Sequence, residues 1–155
     1  MSIYRTYASP LGGMYMVSDG DSLTELFFED VRPLPASACG NAAVFDETVR
    51  WLDMYFSGTA PDFMPKLNAE GTVFRKLVWD MLLTVPYGQT VTYGELAGRF
   101  YRPMSAQAVG SAVGHNPICL IIPCHRVVGA DGSLTGYSGG IDRKFALLHH
   151  EQGLI

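Results

Sequence analysis

The sequence predicts an α/β (α+β) chain arranged as two small domains, and three observations lead there. The chain begins with short apolar segments of strand character, broken by turn residues, as at Asp19-Gly20-Asp21-Ser22. From residue 43 onward, apolar positions recur mostly at helical spacing. A proline-punctuated stretch, Pro61 to Asn68, separates the first helical segment from the rest, which puts a boundary near Leu67–Glu70. A small α/β domain is therefore expected over residues 1–68 and a second domain over 69–155. With 155 residues the chain suits one or two domains, and a chain of this size buries roughly 68–70% of its unfolded surface.

Taken in order, Ile3 to Tyr7 reads as a strand, and Met14 to Ser18 with Leu23 to Phe28 reads as a hairpin. Val31 to Asn41, rich in Pro, Ala and Ser, reads as an irregular connection. Ala43 to Ser57 places Val44, Phe45, Val49, Leu52, Tyr55 and Phe56 at amphipathic spacing, with Gly58 as its stop. In the second half, Thr72 can cap a helix to about Thr84 whose inner face carries Val73, Leu77, Val78, Met81 and Leu82. Thr92-Tyr93-Gly94-Glu95 has capping-box spacing and starts a short helix to about Phe100. After a turn at Arg102-Pro103-Met104, Ser105 can cap a second short helix, Ala106 to Gly114, lined with small residues. Two short helices joined by a turn suggest helix-turn-helix, and an ordinary helical hairpin has the same pattern. Ile118 to Ile122 reads as a buried strand, Val127 to Leu134 as a hairpin turning at Asp131-Gly132, and Asp142 to Glu151 as a final helix stopped by Gly153.

Apolar content of 48% and charged content of 17% are those of a soluble globular protein. No apolar run approaches the roughly 20 residues that span a bilayer, so no membrane association is expected. Net charge is −4, yet the acidic load is uneven: the first 68 residues carry 4 basic and 9 acidic side chains, the remainder 7 and 6. Phosphate contacts set non-specific affinity and its salt slope, so any DNA binding by the second half should be modest and salt-sensitive. Three cysteines, an odd number, argue against a disulfide framework. Met1-Ser2-Ile3-Tyr4-Arg5 leads straight into a strand-like segment without a targeting signal. A cytoplasmic location is expected. Only Cys39 precedes Cys119, and no histidine precedes His115, so four-ligand metal spacing is absent and no metal is expected.

The chemistry concentrates in Ile121-Ile122-Pro123-Cys124-His125-Arg126-Val127-Val128. An apolar run ends at a proline, which lacks an N–H and has a fixed φ, and a thiol, an imidazole and a guanidinium follow at once. Thiolate is the reactive form of cysteine, and cationic surroundings favour it. By itself the pair also fits a buried structural cysteine. The stretch resembles the Pro-Cys-His-Arg-Val signature of the O6-alkylguanine-DNA alkyltransferases. Its flanks are similar to that family as well: Asn116-Pro117, Gly136-Tyr137-Ser138-Gly139-Gly140, Leu147-Leu148-His149-His150-Glu151, Val85-Pro86-Tyr87-Gly88 and Val91-Thr92-Tyr93-Gly94. The likeness is close over Gly71 to Glu151; the first seventy or so residues match only in length and texture.

The resemblance implies an RNase H-like N-terminal domain and a C-terminal winged-helix-like helix-turn-helix domain that carries the active site. It implies a DNA-repair reaction in which Cys124 takes an alkyl group from O6 of guanine, once per molecule and without a cofactor. The implied relay is Cys124, a water, His125 and Glu151, the carboxylate holding the imidazole in the manner of a third triad member. Tyr93 is implied as the hydroxyl that meets a ring nitrogen of the base, a task that suits a phenol. Asn116 is implied as a hinge between the second short helix and the active-site turn. Val127, Gly136, Tyr137, Ser138 and Gly139 are the implied substrate-binding residues, and Ser105, Ala106, Gln107, Gly110 and Arg126 the implied DNA-binding ones. The implied partner is double-stranded DNA containing O6-alkylguanine, approached from the minor groove by a monomer. At the position that fills the gap left by a flipped base the family normally has arginine; this chain has Gln107, which brings no charge. Three other readings compete: a non-catalytic alkylated-base-binding relative, a cysteine hydrolase with repeated turnover, and a helix-turn-helix transcription factor with an incidental thiol. The sequence offers the last no dimerisation segment and no basic recognition helix.

Overall fold

A computed structural model describes residues 2–100, 102 and 104–153. They form an α+β structure in two compact units, Met1–Glu70 and Gly71–Ile155. Among the described residues no helix is long and apolar enough to cross a membrane.

In the first unit, β1 (Ile3–Ser9), β2 (Gly12–Ser18) and β3 (Leu23–Phe28) are joined as antiparallel neighbours. The β2–β3 turn closes through Asp19, whose Oδ1 accepts from the Asp21 and Ser22 N–H groups at 2.9 and 2.8 Å. This is the local bonding that makes aspartate a turn former. The stretch expected to be irregular contains a two-residue strand, β4 (Ala38–Cys39), parallel to β1, so the sheet order is β3-β2-β1-β4. Two residues are too short to show a period, so the strand left no trace in the sequence. Helix α1 (Ala43–Phe56) packs on β1, β2 and β3. Its buried stripe is Val44, Phe45, Thr48, Trp51, Leu52 and Tyr55, the i, i+1, i+4, i+7, i+8, i+11 spacing of one helix face. Gly58, at φ +93°, ends the helix in the left-handed conformation. The Pro61–Asn68 stretch returns to the sheet: Leu67 bridges Leu23 in parallel, bonded through Lys66 O and Asn68 N.

The second unit begins with α2 (Val73–Leu82), capped by the Thr72 hydroxyl on Arg75 N at 3.1 Å. Its buried residues are Val78, Trp79 and Leu82; Val73 and Leu77, expected on the inner face, are 78% and 48% exposed. Trp79 takes the inward place because its indole N–H reaches Ala112 O at 2.9 Å. The strand β5 (Val91–Thr92) leads into α3 (Tyr93–Ala97) through a complete capping box between Thr92 and Glu95. That helix ends at Ala97, short of the expected Phe100. The expected turn at Arg102-Pro103-Met104 lies outside the described residues at Pro103. Helix α4 (Ala106–Gly114) is capped by Ser105 and packs on α2 and α3.

Two expectations fail between α4 and the last helix. Ile118 to Ile122 is not a strand but a succession of buried turns, with Ile121 N on Cys119 O and Ile122 N on Ile118 O. Leu120 sits at φ +68°, a conformation costing roughly 1–2 kcal/mol for a residue with a Cβ. Its side chain is fully buried, and that burial, worth about 1.5–3 kcal/mol, offsets the cost. Val127 to Leu134 is likewise no hairpin. The turn at Asp131-Gly132 exists, closed by Gly129 N on Ser133 O at 2.9 Å. However, β6 (Val127–Val128) pairs in parallel with β5, Val91 beside Val127. A short apolar run does not reveal its neighbour, and here the neighbour lies some thirty-six positions earlier. Helix α5 (Ile141–Glu151) closes the unit.

Candidate active site

Cys124, His125 and Arg126 form one 3₁₀ turn between the buried turns and β6. Pro123 sets its start, Cys124 N donates to Ile122 O at 2.8 Å, and Val127 N closes it on Cys124 O. All three side chains are buried, His125 completely. Asn116, buried just past α4, braces the approach: its Nδ2 donates to Ile122 O at 2.8 Å and its Oδ1 accepts from Ile118 N at 3.0 Å. The same side chain favours the ionised form of Cys124. It thus joins the end of α4 to the turn that carries the sulfur.

Glu151, at the last position of α5, is the hub of a buried polar cluster. His125 Nε2 lies 2.5 Å from its Oε2, and Arg126 donates to it twice, Nε to Oε1 at 2.7 Å and Nη2 to Oε2 at 3.2 Å. Gly88 N adds a fourth hydrogen bond, to Oε1 at 3.1 Å, and Arg126 Nη1 donates to Val85 O at 2.8 Å. Gly88 is at φ +80°, and a Cβ there would lie 3.3 Å from Glu151 O, so the close approach suits glycine. Burial alone would raise the Glu151 carboxyl, but the bonds from His125 and Arg126 outweigh it and hold the group well below the usual carboxylate range. Burial lowers His125, with the Arg126 and Lys144 cations adding to the effect and Glu151 opposing it. The resting imidazole is therefore neutral; donating Nε2–H to a carboxylate, it presents Nδ1 as the basic nitrogen.

Two expectations about charge are corrected here. Arg126, expected on DNA, is buried, and its guanidinium faces Glu151 and Val85. The thiol is not lowered by adjacent His125 and Arg126 side chains. Burial raises it, opposed by Asn116, by the Lys144 ammonium and by the Cys124 and His125 N–H groups. At rest the turn holds a thiol beside a neutral base.

Tyr93 opens α3, and its hydroxyl donates to Thr135 O at 3.1 Å. Its ring faces Gly110 of α4, where a Cβ would meet it at 3.6 Å. Gly136, at φ +64°, would place a Cβ 3.6 Å from the Tyr93 hydroxyl. The loop then runs through buried Tyr137, exposed Ser138 and half-buried Gly139 to Gly140, whose N–H returns to Tyr137 O at 3.0 Å. On α4, Ser105, Ala106 and Gln107 are exposed, while Val109, Ala112 and Val113 point inward. Val127 is fully buried in β6. Sequence reasoning missed Lys144. This lysine of α5 is fully buried, donates to Thr135 O at 2.8 Å and lies 6.0 Å from the Tyr93 ring centre. A lysine in an amphipathic helix reads as solvated, and only its partner, a loop carbonyl, reveals otherwise. Gly88 and Val85 were also missed as supports of Glu151, because they act through backbone atoms.

Comparison with known proteins agrees with this geometry over nearly the whole chain. Residues 2–68 match the 6-O-methylguanine DNA methyltransferase ribonuclease-like domain, and residues 73–153 the DNA binding domain of the same family. A methylated-DNA–protein-cysteine methyltransferase of Mycobacterium bovis is 45% identical over 151 residues, covering 96% of this chain and 92% of that protein. A Methanosarcina acetivorans protein of the same name is 42% identical, covering 96% and 97%. The crystal structure of Mycobacterium tuberculosis O6-methylguanine methyltransferase superposes with a TM-score of 0.90 at 44% identity, covering 100% of this chain and 95% of that one. The Mycobacterium tuberculosis OGT structure in complex with DNA gives 0.91 at 44% identity, covering 98% and 94%.

Proposed function

Since the chain belongs to the 6-O-methylguanine DNA methyltransferase family, we propose that it repairs DNA by moving a methyl or larger alkyl group from O6 of guanine onto its own Cys124. The observation that carries this reading is the buried cluster that begins one residue after the sulfur: His125 on Glu151, and Glu151 clamped by Arg126 and Gly88. A structural cysteine needs no such support.

The reaction is one displacement. The Cys124 thiol passes its proton, through a water, to the neutral His125, whose imidazolium Glu151 stabilises. The sulfur attacks the alkyl carbon; an S–C bond forms as the C–O6 bond breaks, and the electron pair leaves with the purine. Tyr93 meets that developing charge by donating its hydroxyl to a ring nitrogen. A thioether is stable, so each molecule acts once. The pocket is made by the Cys124 and Val127 carbonyls, the Ser138 N–H and the loop of Gly136, Tyr137, Gly139 and Gly140, with Asn116 as the hinge.

The thiol is buried, so the damaged base must leave the stack, at a few kcal/mol, less for a poorly paired lesion. The exposed start of α4, with Ser105, Ala106 and Gln107 and with half-buried Gly110 one turn on, meets duplex DNA from the minor groove, and Gln107 fills the gap. The protein acts as a cytoplasmic monomer. Mass spectrometry of the intact protein after incubation with an oligonucleotide carrying O6-methylguanine tests the proposal. One added methyl group on Cys124, at most one per chain, and none on Cys124→Ser is the expected result. Equal repair by the serine variant would overturn the mechanism; tight lesion binding without mass gain would favour a lesion-flagging role.

A further inference from the structure

The Thr135 carbonyl receives two side-chain donors at once, Tyr93 Oη at 3.1 Å and Lys144 Nζ at 2.8 Å. A carbonyl oxygen has two lone pairs, so both bonds fit. Thr135 directly precedes the glycine loop, and α5 grips that loop at its other end too, through Arg143 Nη1 on Gly139 O at 3.2 Å and Lys144 N on Gly140 O. Lys144 is fully buried, and it takes part in none of the ion pairs among the described residues. Burying an ammonium on a neutral carbonyl is costly, so stability alone is a poor reason for a lysine here; costly buried charges concentrate at functional sites. Its charge also bears on the sulfur: Lys144 and Cys124 each favour the other's ionised form.

We propose that Lys144 is a positioning residue that keeps hold of the Thr135 carbonyl so that Tyr93 can give up its own bond there when the damaged base arrives. The proposal rests on the reading of Tyr93 as the hydroxyl that meets the base. In the resting protein that hydroxyl already has a partner. To reach a purine nitrogen it must leave Thr135, and without a second donor the loop would lose its pin just as the pocket must close. Lys144 makes the handover free of that consequence.

Amide hydrogen exchange over residues 136–140 and single-turnover transfer from an O6-methylguanine duplex, measured together, test this. Lys144→Met should speed loop exchange and slow the saturating transfer rate, each by roughly tenfold, the effect of one charge-assisted hydrogen bond. Its DNA dissociation constant should stay within about twofold, since α4 is untouched. Lys144→Arg, which keeps charge and donor, should recover part of both losses. Tyr93→Phe alone should leave loop exchange near the parent, while the double variant loosens the loop more than the two single effects combined. Parental loop exchange in Lys144→Met, or no recovery in Lys144→Arg, would overturn the anchor. Parental transfer by Tyr93→Phe would instead overturn the reading of Tyr93 and the handover with it, leaving the exchange data to decide the anchor alone. Should Lys144→Met fail to fold, Lys144→Gln, a neutral donor, takes its place in the same comparison.

Discussion

The two units of this protein use charge in opposite ways. In Met1–Glu70 two ion pairs among the described residues lie at the surface, Arg5 with Asp46 at 3.0 Å with both side chains at least 40% exposed and Lys66 with an exposed Asp21, and a third, Arg32 with Glu25 at 3.0 Å, is half-buried. The unit is held by apolar burial, with Met14, Met16, Leu23, Leu26, Phe45 and Leu52 fully enclosed. In Gly71–Ile155 the pairs are inside. Glu151 and His125 have no exposed side-chain surface, and Arg126 has 10%. The same unit encloses Lys144 and holds Leu120 at positive φ. Buried charges rarely add net stability over apolar replacements, whereas surface pairs contribute little either way. The contrast therefore separates a unit whose interior is apolar from one whose interior encloses charge beside the proposed reactive cysteine.

The contrast is tested most severely at its hub. Replacing Glu151 with alanine leaves Arg126 buried and uncompensated and should cost about 3–5 kcal/mol, read as a drop in the urea midpoint at unchanged slope, together with loss of alkyl transfer. A loss below 1 kcal/mol would show that the cluster is not strongly coupled to folding. Acid should act on the same unit next. His125 and Glu151 both have folded values below their ordinary 6.5 and 4.5, so the unfolded chain binds more protons and stability falls as pH drops. The decline should begin near pH 6.5 from His125 and steepen near pH 4.5 from Glu151. Glu151→Gln should flatten the lower part, as urea titrations between pH 7 and about 2.5 would show. A smaller effect is expected at α4, the helix proposed to meet DNA. Gln107→Arg should speed transfer from duplex several-fold, because a cation adds stacking and phosphate attraction in the groove. Transfer from a single-stranded oligonucleotide should change less; equal rates on duplex before and after the substitution would sink the idea. The least is expected in the first unit: Asp46→Asn should shift stability by no more than about 0.5 kcal/mol, and a larger shift would break the contrast from the other side.

How much of this is legible in the sequence depends on distance along the chain. The β2–β3 turn, the Thr72 and Ser105 caps and the Thr92–Glu95 box lie within three or four positions of their partners, and each was legible. The Cys124-His125-Arg126 triplet was visible as a chemical cluster for the same reason. Val73 and Leu77 misled because periodicity marks an apolar stripe without saying which edge of it meets the core. The 118–122 segment misled because a buried turn and a buried strand have the same apolar content. Asn116 distinguishes them by bonding two backbone groups that a strand would pair with a neighbour. Arg126 read as a free cation, since nothing beside it in sequence supplies the carboxylate that it finds in Glu151, twenty-five positions on.

By itself, then, the amino-acid order determined the α+β class, the helix starts and the reactive triplet, since propensity, capping and turn bonding act between near neighbours. Tertiary structure alone decided that Arg126 faces inward, that β6 lies beside β5, and that Lys144 and Tyr93 share the Thr135 carbonyl. Those outcomes depend on which distant backbone groups and charges burial leaves in reach of one another, and a single chain read in order does not contain that information.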